Sequence, residues 1–391
     1  MLVDKFILKL LDLQEVLITN IVEDNIYFFV YCSSTKNVPY GFHIHDYRIH
    51  KFKFGKFRNK NLYIFLKKKR LVDCCTGKII TEKFDFIAKR HRIHRDVCKQ
   101  VIDKLSDSRS MSSVAREFNI STSTVMRYFD LVSYPKEYEM PEVIGIDEFK
   151  GNTGGFAYNV IVTNPKDHCV IDILKTRDLE YLKRYFYPLN LRDCVQYITQ
   201  DMYEPFKIFA NSKFKNAKVV ADKYHYIRQI TWALENVRKR EQKRLSKEER
   251  LFFKRSKKLL HKKINKLKEE KQYLRAMFSH SYDLELAYEL KKAFEDFVKT
   301  TSYEQAKHEL SIWIKMAKES GLKEFKDAIT AFTNWKEEIC NSKIEPYTNG
   351  FTEGCNNKIK VLKRNAYGFR NFTRFRNRIL HMFNKKNVSV A

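Results

Sequence analysis

Glycine and proline are scarce in this chain, at 11 and 7 of 391 residues. That excludes a collagen-like or proline-rich protein and leaves no low-complexity linker, so domain limits must be read from changes of pattern. No apolar run approaches the roughly 18–20 residues of a membrane-spanning helix. The opening MLVDKFILKLLDLQ carries Asp4 and Asp12 and lacks the unbroken apolar centre of a signal peptide, so a cytoplasmic protein is expected. The eight cysteines are scattered, which argues against a disulfide framework and fits a reducing compartment. Acidic residues are in deficit: 47 Asp and Glu face 75 Lys and Arg, a net charge of +28, and no acid follows Glu353.

A surplus of this size opposes compaction unless a polyanion neutralises it, which makes nucleic acid the first partner to consider and a membrane surface or acidic protein the second. A hydrophobic content of 43% excludes a wholly disordered chain. Residues 1–31 read as a short helix followed by two alternating strands, VLITNIVED and NIYFFVYC. From Lys36 to Arg95 cations interleave with aromatics, as in HDYRIHKFKFGKFRNKNLYIFLKKKR. Alternation of this kind suits strands with a cationic outer face, either solvated or set against phosphates. Cys32, His43, His45, Cys74 and Cys75 raise the question of zinc. A zinc ribbon needs two Cys-x-x-Cys knuckles to bite one tetrahedral ion, and these residues lack that spacing, so buried thiols are the simpler reading and zinc stays open.

Residues 97–134 change period. VCKQVIDKLSDS reads as a helix; MSSVAREFNI and STSTVMRYFD, broken near Asn119–Ser121, read as a helix–turn–helix. Ser112 or Ser113 can cap the first of these helices and Ser121 or Thr122 the second, with Val114, Phe118, Val125 and Tyr128 as apolar stripes. In such a unit the second helix enters the major groove, which makes Ser121, Thr122, Ser123 and Arg127 the DNA-contacting candidates.

After Pro135–Pro141 a third pattern begins. VIGIDEF is a buried strand ending in two acids, and FAYNVIVTN and CVIDILK are two more. DLEYLKRYFYPL reads as a helix, CVQYITQD as a fourth strand ending in an acid, Pro205–Phe214 as a helix, and AKVVADKYH as a fifth strand. This order fits an α/β layer with a mixed sheet. From His225 the chain is helical for over a hundred residues, with 16 basic and 5 acidic side chains between Lys239 and Arg275. Further helices are expected near Leu284–Phe297, Tyr303–Lys318 and Leu322–Asn341, anchored by Trp313 and Trp335. A last helix follows Pro346, Asn349 and Gly350. On it Phe351, Cys355, Ile359 and Leu362 share one stripe, and Glu353, Asn357, Lys360 and Arg364 another.

Asp147, with Glu148 beside it, and Asp201 end two buried strands, and Glu353 sits on the late helix. Singly, each could be a cap, a turn or an ion-pair partner. Together they offer the hard oxygen ligands that hold Mg²⁺ beside phosphate, where a pair of ions can activate a nucleophile and stabilise a leaving oxygen.

The motifs GIDEF, TQDMYEPF, VVADKYHYIRQ and NGFTEGCNNKIKVLKRNAYGFRNF resemble the ISL-three family of bacterial insertion-sequence transposases, from about Val143 to Leu380. The N-terminal order is also similar, without the clean cysteine pairs. The resemblance implies an α/β chain in four parts: a small β-rich, zinc-ribbon-like DNA-binding module over 1–96, a helix–turn–helix over 97–134, an RNase H-like catalytic domain over 141–225 and 345–382, and an all-helical insertion over 226–344. It implies a DNA transposase that binds terminal inverted repeats and target DNA, acts as a homodimer in the bacterial nucleoid, and cleaves and joins strands with two Mg²⁺ ions. Its catalytic and metal-binding triad would be Asp147, Asp201 and Glu353. Asp222 is an alternative ligand, and with His225 it resembles an organising Asp-x-x-His element. Asn357, Lys360, Lys363 and Arg364 would hold DNA beside the metals. A non-catalytic DNA-binding regulator and a metal-dependent nuclease are the other readings.

Overall fold

The computed structural model describes residues 2–87, 93–136, 139–187, 194–261, 268–384 and 389–390. Over these the chain is mixed α/β, with 15 α-helices and 12 strands. Among the described residues no helix is long and apolar enough to cross a membrane. Contacts divide the chain into two compact units: Met1–Pro135 with Ile359–Phe369 and Thr373–Ala391, and Lys136–Lys358 with Arg370–Phe372.

The first unit begins with α1 (Leu2–Leu10), β1 (Val16–Glu23), β2 (Tyr27–Ser34), β3 (Phe42–Phe57), β4 (Lys60–Asp73) and β5 (Ile79–Thr81). Their sheet has the order β1-β2-β4-β3, with β5 on β4. β1 and β2, the strands expected from VLITNIVED and NIYFFVYC, pair with each other antiparallel, whereas β2 and β4 run parallel. Alternation sends Val30, Cys32, Leu62, Ile64 and Leu66 to one face, where they pack with Leu11, Phe52 and Phe86.

Three helices follow: α2 (Arg95–Lys104), α3 (Met111–Phe118) and α4 (Thr122–Phe129), then the short β6 (Val132–Ser133). Val114, Phe118, Val125 and Tyr128 are all buried. The turn between α3 and α4 places Asn119 in the left-handed region at φ 49°, which asparagine tolerates better than most residues. Ser121 caps α4 as expected. The cap of α3 is Ser110, not Ser112 or Ser113, because the helix starts at Met111 and the Ser110 hydroxyl accepts from Ser113 N.

The second unit carries β7 (Val143–Thr153), β8 (Phe156–Asn164), β9 (Cys169–Leu174), α5 (Leu179–Phe186), β10 (Tyr197–Gln200), α6 (Glu204–Lys213) and β11 (Lys218–Ala221). The sheet order is β11-β10-β7-β8-β9. β7, β8 and β9 form an antiparallel meander, and β10 and β11 lie parallel to β7. Several strand limits differ from expectation: β10, expected over Cys194–Asp201, is confined to Tyr197–Gln200, so Asp201 lies just past it. β7 runs past its acids to Thr153, because Lys150 and Thr153 still pair with β8. β11 stops at Ala221, because Asp222 caps the next helix. Pro188 and Leu189, expected to close the DLEYLKRYFYPL helix, lie outside the described residues, as do 262–267 of the basic run.

Ile144, Ile146, Val160, Val162 and Ile198 face α5 and α6, meeting Leu182, Phe186, Phe206 and Phe209 in a core. A separate helical core joins α7 (Lys223–Gln242), α8 (Lys247–Ser256), α9 (Lys268–Ser279), α10 (Tyr282–Lys299), α11 (Tyr303–Glu319), α12 (Lys326–Asn334) and α13 (Lys336–Ile344). Trp313 is its centre, buried and donating Nε1–H to Leu290 O at 2.8 Å. The single helix expected over Leu322–Asn341 is interrupted at Trp335, which leaves helical geometry with ψ 22°. α14 (Gly350–Asn365) follows, and its residues from Ile359 count with the first unit. α15 (Phe372–Phe383) and β12 (Ser389–Val390), which pairs with β6, complete the chain.

The start of α14 lies directly on β7. Thr352 Oγ1 and Thr163 Oγ1 are 2.8 Å apart in the interior. A Cβ at Gly145 would stand 2.5 Å from the Thr163 hydroxyl and 2.7 Å from that of Thr352, so the glycine is what permits this approach. Gly145→Ala is expected to lower stability by about 1–3 kcal/mol, as overpacking does. Gly354→Ala, on the same helix with open space around it, is expected to raise stability by about 0.5–1 kcal/mol. Urea titrations of both variants check the pair, and equal signs would refute this contact.

Candidate active site

The parallel register builds the site. Gln200 is level with Ile146 on one side and Ala221 on the other. The residue that follows each of these is an acid: Asp147 within β7, and Asp201 and Asp222 just past the ends of β10 and β11. Pleating turns Asp147 toward the sheet face opposite α5 and α6, the face on which Gly145 meets α14. Asp147 and Asp222 are buried, and Asp201 is half-buried. α14 adds Glu353 from the first turn of a helix whose Cys355, Ile359 and Leu362 are buried as expected.

Each acid has a defined set of partners. Asp147 Oδ2 accepts from Asn356 Nδ2 at 2.8 Å, and its Oδ1 from Glu148 N at 2.7 Å. Glu148 itself is ion-paired to Arg177 Nη1 at 2.6 Å. Asp201 Oδ1 accepts from Asn349 Nδ2 at 3.3 Å, and its Oδ2 lies 3.0 Å from His225 Nε2. Asp222 Oδ1 accepts from Tyr224 N at 3.0 Å as the cap of α7, while its Oδ2 is buried with no donor among the described residues.

The carboxyls raise one another. Burial pushes Asp147 well above the ordinary carboxylate range, and the Asp201 charge adds to it. Burial, then the Asp222 charge, does the same to Asp201. Glu353 is raised by burial and then by the neighbouring Asp222 carboxyl. His225 is driven the other way: burial, then the Arg228 cation, lowers the pKa of its imidazole. Arg228 Nη2 lies 3.1 Å from His225 Nδ1. A guanidinium only donates, so Nδ1 accepts and Nε2–H points to Asp201. Both ring nitrogens are engaged, which makes His225 a holder of Asp201.

Among the described residues, the ligand atoms of Asp201, Asp222 and His225 lie within 4.8 Å of one another, and neither Asp147 nor Glu353 completes a second such group. Of the acids expected to converge, this group holds Asp201 alone; its neighbour there is Asp222, which the sequence reading ranked behind Asp201. The donor set suits a hard divalent cation: the carboxyls of Asp201 and Asp222, the latter with a buried oxygen that has no donor among the described residues, while the His225 imidazole, engaged at both nitrogens, orients Asp201. Sequence reading missed Asn349, Asn356 and Arg228. Asn356 reaches Asp147, whereas the expected Asn357 is exposed on α14, one position too far round the helix. Lys360 and Arg364 are exposed and Lys363 half-buried on later turns. Arg228 also lies 5.2 Å from the Tyr224 ring and 4.6 Å from that of Trp232, both exposed on α7.

In the first unit, Ser121 spends its hydroxyl on the cap, accepting from Thr124 N at 3.1 Å. Ser123 and Arg127 are exposed and Thr122 half-buried on α4. Of the zinc candidates, Cys32 is buried, but Cys74 and Cys75 are exposed, against the expectation of buried thiols. They follow β4 in the turn that leads to β5. His43 Nδ1 lies 3.5 Å from Cys74 Sγ, and among the described residues these side chains form no group of three in ligand range.

Aligned acids on a mixed sheet, preceded in the chain by a three-helix unit with a tight turn, are the parts of a transposase. A family model described as "Transposase" matches residues 144–379, more than half of the chain. A second, described as "Helix-turn-helix domain of transposase family ISL3", matches residues 82–133. The chain belongs to the ISL3 transposase family. It is 23% identical over 303 residues to the transposase for insertion sequence element IS1001 of Bordetella parapertussis, covering 74% of this chain and 73% of that protein. A 56-residue stretch is 45% identical to an ATP-dependent protease of Lactococcus lactis subsp. lactis, covering 14% of this chain and 18% of that protein.

The raised carboxyls set a pH dependence. Between their unfolded values near 4 and their higher folded values, the folded state holds protons that the unfolded state has released. Stability from these groups is therefore greatest at low pH and falls as pH rises through that window. In EDTA, Asp147→Asn is expected to flatten the fall in urea midpoint from about pH 5 to about pH 9. Parallel profiles for variant and wild type would contradict the crowding of these acids.

Proposed function

We propose that this protein is the DDE-type DNA transposase of a bacterial insertion sequence, an enzyme that binds terminal inverted repeats and catalyses Mg²⁺-dependent strand cleavage and strand transfer. The parallel register that brings Asp147, Asp201 and Asp222 level on neighbouring segments, with Glu353 in the first turn of α14, carries this reading. It is supported by the sheet order, which suits an RNase H-like catalytic domain interrupted by the α7–α13 insertion. In this arrangement residues 1–96 are a DNA-binding module, 97–134 the helix–turn–helix, 141–225 with 345–382 the catalytic domain, and 226–344 the insertion.

Asp147, Asp201 and Glu353 would hold the Mg²⁺ ions, with the Asp222 oxygen as a further ligand. Bound Mg²⁺ would supply an activated water or 3′-hydroxyl and a stabilised leaving oxygen. The chain's own residues prepare that site. Asn356 and Asn349 fix the rotamers of Asp147 and Asp201, and the His225–Arg228 pair holds Asp201 from the other side. Arg177 neutralises Glu148, which limits the charge added next to Asp147. Ser121, Thr122, Ser123 and Arg127 would face the repeat, and Asn357, Lys360, Lys363 and Arg364 would carry the DNA strand along α14. A homodimer would bring two element ends together.

The test is a terminal-repeat duplex with flanking DNA, incubated with the protein and Mg²⁺. Wild type is expected to nick at the element end and to join that end to a target duplex. Asp147→Ala and Glu353→Ala are expected to bind the repeat and to lose cleavage by at least a hundredfold, on the order of 3 kcal/mol in barrier. Cleavage by the variants at the wild-type rate sinks the assignment. Tight repeat binding with no nicking would point to a regulator, and nicking with no joined product to a nuclease. Repeat binding should also weaken steeply with added salt, as phosphate contacts release counterions.

A further inference from the structure

The outer face of the first unit's sheet is built of rings and ammonium groups. Alternation that sends Val30, Leu62 and Ile64 into the core sends Phe29 and Tyr31 of β2, and Tyr63 and Phe65 of β4, to the opposite face. There they form a continuous layer. The Tyr31 and Phe65 rings are stacked at 4.9 Å, Phe29 and Phe65 are 5.8 Å apart, and Phe29 and Tyr63 are 6.3 Å apart. β3 lays Lys51 over this layer, 4.4 Å from the Tyr63 ring and 5.2 Å from that of Phe65. Lys67, next on β4, is exposed. All four rings are only partly buried.

We propose that this face is a stacking platform for the unpaired bases of a DNA single strand. Rings of this size on an open sheet offer flat π surfaces, and every base has a π face to lay on them. The bases of a duplex are already stacked on each other, so the rings can be used only by bases that have left the helix. Lys51 and Lys67 stand where the phosphates of such a strand would run, and strand alternation brings no carboxylate among these rings. An acid-rich protein would find the cations but have no use for the rings.

Position within the same unit adds a second argument. The turn of the helix–turn–helix abuts one end of the platform: Lys53 Nζ donates to Asn119 O, and Asn119 Nδ2 donates to Asn61 Oδ1 at 3.0 Å. Asn61 precedes Tyr63 on the same face, and Asn119 lies three residues before α4. A strand parting from a duplex held at α4 would therefore reach the rings at once. The inference rests on the transposase reading only for the nucleic acid being DNA, since the face itself would accept any unpaired strand.

Full-length protein in EDTA, where no cleavage can intervene, is titrated into a fluorescein-labelled oligothymidylate and, separately, into a blunt duplex carrying the terminal repeat. Wild type is expected to bind the oligothymidylate with quenching of tyrosine fluorescence. The double variant Tyr63→Ala, Phe65→Ala is expected to lose at least fivefold, roughly one stacked base, while the conservative Tyr63→Phe retains binding. Lys51→Ala, at an exposed position, is expected to reduce the salt slope of oligothymidylate binding by about 0.7. Duplex binding should be unchanged in all three, which separates loss of the platform from loss of the fold. Unaltered oligothymidylate affinity in both the double variant and Lys51→Ala overturns the proposal. So does concentration-dependent self-association that the double variant abolishes while oligothymidylate binding persists, since the face would then belong to a second copy. Asp147→Ala should bind the oligothymidylate as wild type does, so a failed cleavage assay and a failed platform are separate results.

Discussion

Crowding of like charge is the constraint around which the second unit is arranged. Three neighbouring parallel strands each bring an acid to the same level, within β7 and just past the ends of β10 and β11, and a helix adds a fourth. Carboxylates this close, with burial thinning the water between them, repel strongly and favour protonation. Asn349, Asn356 and the His225–Arg228 pair offset part of that repulsion by donating to Asp147 and Asp201. The first turn of α7 takes one oxygen of Asp222 as its cap, where the helix dipole also favours negative charge. Among the described residues, the other Asp222 oxygen is buried with no donor, and Glu353 is held near that carboxyl by the start of α14. A site left short of positive charge at its centre is suited to recruit a cation.

Packing holds that arrangement against its own repulsion. The apolar face of the sheet is sealed by α5 and α6, so the strands cannot slide to separate their acids without exposing Phe186, Phe206 and Phe209. On the polar face the Thr163–Thr352 contact, permitted by Gly145, sets the height of α14. The helical segment from α7 to α13 has its own core around Trp313 and Phe294. It also ties back to the sheet, where Asn341 Nδ2 donates to Val219 O at 2.8 Å. A helical segment between the second acid and Glu353 can thus be long without loosening the site.

Much of this was legible in the residues. VIGIDEF and FAYNVIVTN read as buried strands because β-branched runs of that length have few other uses. The helix–turn–helix was visible from its stripes and from the break near Asn119–Ser121. Errors fell where a local signal was weaker than a tertiary one. The acids in GIDEF looked like a strand end, yet pairing with β8 carries β7 on to Thr153. Asp222 looked like the end of a strand and is the cap of a helix. Asn357 shared a helical stripe with Glu353, but the residue in reach of Asp147 is Asn356, because Asp147 lies beside the helix and not in line with Glu353. The cation-rich strands were read as a basic face, and their aromatic partners were less obvious because β2 and β4 are distant in sequence and pair in parallel.

The sequence by itself determined the element types, the charge surplus and the residue types able to hold a hard cation, since these depend on local periodicity and side-chain chemistry. Only the tertiary structure decided which acids are neighbours, which amides serve them, and that rings from β2 and β4 form one layer under the Lys51 ammonium. The reason is that strand register and helix docking are set by packing between distant segments, and a shift of one residue in either would turn the same side chains to the opposite face.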